Sequence, residues 1–217
     1  ISPHDAGTLY VSFRKDRLGD PTPHIFVSKD YGATFTRMVN GLRDGEPVRV
    51  VREDTERKGL LYAGTETGVY VSYDAGAQWL PFRGNFPVVP VTDLQVKHGD
   101  LIAATEGRAF WILDDLSVLR QRADAIEKAA MHLYAPRAAV LAGSGGGFGT
   151  PRNAGKNPPY GAVINFRLAA APDTASTLLL EFLDAKNSVV RSFATKGDTV
   201  NKLTVKAGLN AFNWNLR

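Results

Sequence analysis

The sequence predicts an all-β protein: terminal blades of a β-propeller followed by a small β-sandwich. Three observations carry this. Two stretches, Ser28-Lys29-Asp30-Tyr31-Gly32-Ala33-Thr34-Phe35 and Ser72-Tyr73-Asp74-Ala75-Gly76-Ala77-Gln78-Trp79, share the pattern Ser-x-Asp-x-Gly-x-(Thr/Gln)-aromatic. Strand-like runs recur around them, with 44 residues from Asp30 to Asp74 and 40 from Asp74 to Asp114. Beyond a Gly- and Pro-rich stretch at 143–159, a second set of short alternating apolar runs begins. A period of about 40–50 residues holding several short β runs is that of a propeller blade. Several short strands with turn signals and no helix between them suit a sandwich.

Each repeat is expected to place a hairpin turn at its Ser-x-Asp-x-Gly segment. The Asp carboxylate accepts backbone N–H bonds from the residues that follow it, and Gly supplies the positive φ that a Cβ resists. The aromatic then starts the return strand and buries its ring. On this reading Asp30 and Asp74 are structural acceptors, as are the other turn positions Ser28, Gly32, Phe35, Ser72, Gly76 and Trp79.

The first unit opens with Thr8-Leu9-Tyr10-Val11-Ser12-Phe13, continues through His24 to Ser28, and lacks a strand before these. The middle unit shows all four strands: Val48 to Arg52, Leu60 to Thr65, Gly68 to Tyr73 and Trp79 to Phe82. The third unit is degenerate. After Leu101 and a strand at Ala109 to Leu113 it has no Gly two residues beyond Asp114, and a helix-like stretch follows from Ser117 to Met131. His132 to Pro136 is expected to form a last strand. The blades therefore occupy 1–142, a linker 143–159 and the sandwich 160–217, with strands at Ala162 to Leu168, Thr177 to Leu183, Val189 to Ala194, Lys202 to Val205 and Asn210 to Leu216. Asp184-Ala185-Lys186-Asn187 is the turn between two of these. Three units do not close a propeller. The missing blades are expected upstream in a longer polypeptide, with assembly from further copies as the second reading.

Composition sets outer limits. The chain has 217 residues, 44% apolar and 22% charged, as ordinary globular domains have. Its net charge of +4 comes from 26 basic and 22 acidic residues that are interspersed, so no basic run argues for nucleic acid. Cysteine is absent, which excludes disulfides and thiolate metal sites. No apolar run approaches the ~18 residues of a membrane span. His4, His24, His98 and His132 lack metal-ligand spacing, and no cofactor fingerprint is present.

The repeated turn is the Asp-box, or BNR repeat, and the chain resembles Asp-box propeller proteins, a group that includes sialidases, xyloglucanases and the sortilin luminal domain. The likeness is strongest to large bacterial BNR-repeat or sortilin-like glycosyl hydrolases. It rests on Gly107-Arg108-Ala109-Phe110-Trp111-Ile112-Leu113-Asp114-Asp115, on Leu119-Arg120-Gln121, and on Lys156 to Ala162. Asp184 to Arg191 and Gly208 to Arg217 look like the Ig-like domain of the flagellar hook-cap type, with Asn215 where that family usually has Asp. The resemblance implies an Ig-like module, a glycan or protein ligand, and a secreted or periplasmic location.

In an antiparallel blade the turn between strands two and three lies opposite the Asp-box turn. Any site is therefore expected on the rim carrying Arg14, Asp16, Arg17, Asp20, Glu66, Glu106 and Arg108. Asp16, Asp20, Glu66 and Glu106 are the candidate catalytic carboxylates, and Arg14, Arg17 and Arg108 the candidate ligand-binding cations. The ordinary reading of each is a solvated turn charge. Two functions compete. One is a carbohydrate- or protein-binding scaffold without a complete active site. The other is a portion of a sialidase- or xyloglucanase-like glycoside hydrolase, with carboxylates partly supplied by other blades. The Phe-Arg-Ile-Pro-type segment that accompanies sialidase sites is missing. Trp79, Trp111 and Trp214 lie within strand patterns and are expected in the core.

Overall fold

The computed structural model describes residues 1–139, 159–173, 175–197 and 201–216. It is all-β, and its contacts divide the chain into two compact units, Ile1–Leu116 and Ser117–Arg217.

The first unit holds three antiparallel sheets. Sheet 1 comprises β1 (Leu9–Ser12), β2 (Ile25–Ser28) and β3 (Thr36–Arg37). Sheet 2 comprises β4 (Val48–Glu53), β5 (Leu61–Thr65), β6 (Val69–Ser72) and β7 (Leu80–Phe82). Sheet 3 comprises β8 (Val91–Lys97), β9 (Asp100–Thr105) and β10 (Phe110–Leu113). All three are simple meanders, the strand order of propeller blades. β1 packs against β4, and β4 and β5 pack against β8, so the sheets stack in chain order.

Register makes the repeat quantitative. Leu9 pairs with Ser28, Leu61 with Ser72 and Leu101 with Leu113, so these three leucines are equivalent, as are Val11, Ala63 and Ala103. By the same count Arg14, Glu66 and Glu106 occupy one position, just past the equivalent strands β1, β5 and β9. Among the described residues, sheet 1 has no counterpart of β4 or β8, and sheet 3 has none of β7.

Alternation explains the packing. Val48, Val51, Leu61, Ala63, Tyr70 and Trp79 of sheet 2 form one core cluster with Ile25 and Met38, and Tyr10 and Val27 pack against it. The other face of sheet 2 meets sheet 3 at Gly64, where an added Cβ would lie 2.8 Å from Val91 Cγ1. Burying such β-branched and aromatic side chains contributes roughly 1.5–3 kcal/mol each.

The second unit begins with two single-turn helices, α1 (Ser117–Gln121) and α2 (Asp124–Lys128), where the sequence pattern suggested one longer helix. The break has a local cause. The Gln121 amide donates to the Ala135 carbonyl at 2.9 Å and accepts from the Ala135 N–H at 2.9 Å, and Ala123 is extended. β11 (Met131–Leu133), β12 (Ala162–Leu168) and β15 (Gly208–Trp214) form one sheet, with β12 central. β13 (Leu179–Leu183) and β14 (Val189–Ala194) form a hairpin whose Asp184 accepts from the N–H groups of Lys186 and Ser188, each at 2.8 Å. Phe166, Leu168 and Leu203 form the core, packed by Leu178, Leu180, Phe193, Val205 and Phe212.

Several expectations differ from this arrangement. Because β11 pairs with β12, residues 131–133 fall with the second unit rather than with blades extending to 142. Lys202 to Val205 forms no strand. Only one bridge, Ala194 to Lys202, is made there, and Leu203 is instead buried as a core residue with its N–H on the Ala194 carbonyl. Trp79 is fully buried, whereas Trp111 and Trp214 are only partly so. The linker expected at 143–159 lies, apart from Pro159, outside the described residues, as does Arg217.

Candidate functional site

The two Ser-x-Asp-x-Gly stretches form nearly the same hydrogen-bonded turn. Ser28 Oγ donates to Asp30 Oδ1 at 2.7 Å and accepts from the Gly32 N–H at 2.8 Å, while Asp30 Oδ1 accepts from the Thr34 N–H at 2.9 Å. Ser72 and Asp74 repeat this with Gly76 at 2.9 Å and Gln78 at 2.9 Å. The Thr34 hydroxyl adds a bond to Asp30, and with the other donors it lowers that carboxyl to about 2. In both turns the serine hydroxyl and one carboxylate oxygen are engaged within the turn itself.

Successive turns of a meander alternate between its two ends. The turns β1–β2, β5–β6 and β9–β10 therefore lie at the end opposite the Ser-x-Asp-x-Gly turns, and they carry all seven candidate charges. Arg14 Nε and Nη2 donate to Asp16 at 3.0 and 2.6 Å, and Arg14 Nη2 also lies 3.2 Å from Glu66. Arg49 Nε and Nη2 grip Glu66 at 2.8 and 3.0 Å, and Arg49 Nη2 reaches Glu106 at 3.1 Å. The result is a ladder, Asp16–Arg14–Glu66–Arg49–Glu106, that crosses all three sheets. Bidentate guanidinium–carboxylate geometry fixes direction as well as charge. The Arg14 bonds hold Asp16 below the usual carboxylate range, and the Glu66 bonds raise Arg49.

Arg49 escaped sequence reading, although it is the rung that joins Glu66 to Glu106. It occupies a β-bulge, because Val48 pairs with Thr65 and Val50 with Gly64, leaving Arg49 unopposed. A bulge turns a side chain out of the alternation. The same bulge recurs in β8 between Val91 and Asp93, where Thr92 stands instead. No repeat comparison of residue types was able to reveal it.

Glu46 was missed as well. It is 3% exposed and accepts from Thr65 Oγ1 at 2.5 Å, from Tyr70 Oη at 2.9 Å and from the Thr67 hydroxyl. Burial pushes its pKa up, but these hydrogen bonds outweigh it and leave the carboxyl below its ordinary value. It thus ties the β5–β6 turn from beneath.

The remaining candidates stand apart from the ladder. Asp20 bonds the Thr22 hydroxyl at 2.5 Å, the Thr22 N–H at 3.1 Å and His24 Nε2 at 3.0 Å, which hold its carboxyl well below the usual range. Arg17 and Arg108 are exposed, the latter accepting at its carbonyl from Trp111 Nε1 at 3.1 Å. Trp111 meets Phe86 edge-on at 5.4 Å and lines, with Val69, Leu101 and Leu113, a mostly apolar groove between sheets 2 and 3.

Comparison with known proteins adds the following. No family profile matches the chain, and no curated protein matches it. Similarity is found among solved structures. A GH74 xyloglucanase from Xanthomonas campestris aligns with 52% of this chain and 20% of its own length, at 19% identity and a TM-score of 0.40. An ancestral GH74 enzyme aligns with 89% of this chain and 26% of its own, at 12% identity and a TM-score of 0.35. The chain therefore spans about a quarter or less of the length of these enzymes. Among the described residues, no helix is long and apolar enough to cross a membrane.

Proposed function

We propose that this chain is a binding scaffold built from blades of an Asp-box propeller, with an Ig-like second unit, and that its ladder rim takes a polar ligand, a glycan or a protein surface. In this reading the whole protein is secreted or periplasmic, and further blades upstream complete the propeller. The observation that carries the binding role is the mutual engagement of Arg14, Glu66, Arg49 and Glu106. Glu66 already accepts from two guanidinium groups, a state that suits fixed recognition better than proton donation. Parallel donors and acceptors held in register across three turns match the hydroxyl pattern of a sugar or the backbone of a peptide.

A glycoside hydrolase contribution is the second reading, and one feature favours it. Glu66 Oε2 and Glu106 Oε2 both lie on Arg49 Nη2, at 3.0 and 3.1 Å, which keeps the two carboxylates close. Retaining glycosidases hold their pair about 5–5.5 Å apart.

Titration of the chain against a panel of β-glucan oligosaccharides, with hydrolysis followed in parallel, tests both. Binding that falls at least tenfold on Arg49→Ala, with no product formed, is the expected result. Product release that disappears in Glu66→Gln or Glu106→Gln overturns the scaffold reading in favour of hydrolysis. Binding that survives Arg49→Ala unchanged removes the ladder from the site.

A further inference from the structure

Sheet 2 carries a buried polar cluster that sheet 3 replaces with apolar residues. Glu46 is 3% exposed, and its partners are three hydroxyls. Its Oε1 accepts from Thr65 Oγ1 at 2.5 Å and from the Thr67 hydroxyl, and its Oε2 from Tyr70 Oη at 2.9 Å. A carboxylate this deeply buried is costly unless hydrogen bonds hold it. Here both oxygens are held, and two of the three donors flank Glu66.

Register identifies the corresponding residues of sheet 3. Val48 pairs with Thr65 as Val91 pairs with Thr105, and Tyr70 pairs with Ala63 as Trp111 with Ala103. Counting from these pairs, Glu46, Thr67 and Tyr70 correspond to Val89, Gly107 and Trp111, with Thr105 in the place of Thr65. The acid and two of its donors are thus replaced together. Val89 is buried, and Thr105 Oγ1 donates to the Ala109 carbonyl at 2.6 Å. The turn glutamates differ accordingly. The Glu66 side chain, beside the polar cluster, is 27% exposed and is reached by both Arg14 and Arg49. That of Glu106, beside the apolar set, is 63% exposed and is reached by Arg49.

We propose that Glu46 is a positioning residue of the ladder: through Thr65 and Thr67 it fixes the β5–β6 turn, so that Glu66 is the rigid rung of the rim and Glu106 the adaptable one. Glu46 and Arg49 stand three residues apart on one segment. That segment grips the turn through its acid and Glu66 itself through its guanidinium. A rung clamped twice has little freedom to lose on binding, and support of this kind makes a polar contact specific. The inference rests on the ladder rim being the ligand site, and it assigns the fixity of that site to a buried residue beneath it.

Two readouts test it, one of which needs no ligand. The Arg49 Nε–H donates to Glu66 at 2.8 Å and gives its own NMR resonance, and the Arg14 Nε–H, which donates to Asp16 at 3.0 Å, is the control. Glu46→Val copies Val89. In that variant the Arg49 proton should exchange with solvent about tenfold faster, with Arg14 unchanged, and affinity for β-glucan oligosaccharides should fall about tenfold, the worth of one hydrogen bond to a charged group. Glu46→Gln keeps an oxygen for Thr65 and Thr67 and presents its amide to Tyr70, so both readouts should stay within about twofold of wild type. Thr67→Val removes one donor and serves where Glu46→Val does not fold, with a smaller change in the same direction. An Arg49 resonance unchanged in Glu46→Val and Thr67→Val overturns the proposal. So does a Glu46→Gln variant as impaired as Glu46→Val, since hydrogen bonding would then not be the cause. A wild-type chain that binds none of the oligosaccharides removes the ligand site instead, and the Arg49 resonance still decides the role of Glu46.

Discussion

The two Ser-x-Asp-x-Gly stretches have nearly the same turn and opposite fates. In both, a serine hydroxyl and an aspartate close the loop, with Tyr31 and Ala75 at φ of 58° and 57° and the glycines at 89° and 87°. Yet Trp79 is 0% exposed and Phe35 is 49% exposed, against the expectation that both aromatics are buried. Trp79 is covered because sheet 1 precedes it. Its N–H donates to the Asn40 carbonyl at 2.8 Å and its indole Nε1 to the Met38 carbonyl at 2.9 Å. Phe35 has no such sheet before it among the described residues. The turn is a local structure, and the burial of its aromatic belongs to the neighbour.

That contrast is open to attack by substitution. Trp79→Ala is expected to have the largest effect, about 3–5 kcal/mol of lost stability, as for large-to-small changes in a core. Phe35→Ala is expected to change stability by within about 0.5 kcal/mol, as at an exposed site. Urea unfolding of the two variants decides, and equal losses would break the comparison.

The glycines come next. Gly32→Ala and Gly76→Ala both place a Cβ at positive φ, which costs roughly 1–2 kcal/mol. At Gly76 the new atom also lies 2.5 Å from Met38 Sδ, against 3.3 Å to Leu9 Cδ1 at Gly32. Crowding in a packed interior adds about 1–3 kcal/mol, so the Gly76 variant should unfold at distinctly lower urea. Ser28→Ala and Ser72→Ala should instead behave alike, each losing about 1–3 kcal/mol from an unsatisfied turn N–H and carboxylate. Similar midpoints for the two serine variants would sharpen the point that the turn itself is local.

The smallest effect is one of pH. Asp30 is held at about 2, below its ordinary 3.8, by the Thr34 hydroxyl first and the Thr34 N–H second. A lowered carboxyl stabilises the folded state in full above its unfolded value and loses that contribution as pH falls through its folded value. The stabilisation from Asp30 should therefore drain away between about pH 4 and pH 2. Thr34→Gln, which copies the second box, removes the hydroxyl and should shift the Asp30 carboxyl resonance titration upward. An unshifted titration would remove Thr34 as the main cause.

Much of this was legible in the chain itself. A turn such as Ser72 to Trp79 draws on residues within a few positions, so its chemistry is spelled out locally. The middle sheet's strands agree with their expected spans to within one residue for the same reason. The candidate rim was legible through register, because Arg14, Glu66 and Glu106 sit at one repeat position. Arg49 was not, since a bulge inserts it out of phase with strand alternation. Glu46 looks like an ordinary loop acid in the sequence, and only the convergence of Thr65, Thr67 and Tyr70 on it shows its burial.

By itself, the sequence determined the repeat, the turn chemistry and the all-β class, because these follow from φ preferences, hydrogen bonds over short separations and apolar periodicity. Tertiary structure alone decided which aromatic is covered, which guanidinium joins the carboxylates, and where the chain divides. Those outcomes depend on contacts between residues far apart in sequence. Trp79 and Phe35 are near-equivalent in the first sense and opposite in the second, because burial requires a second surface and a turn does not.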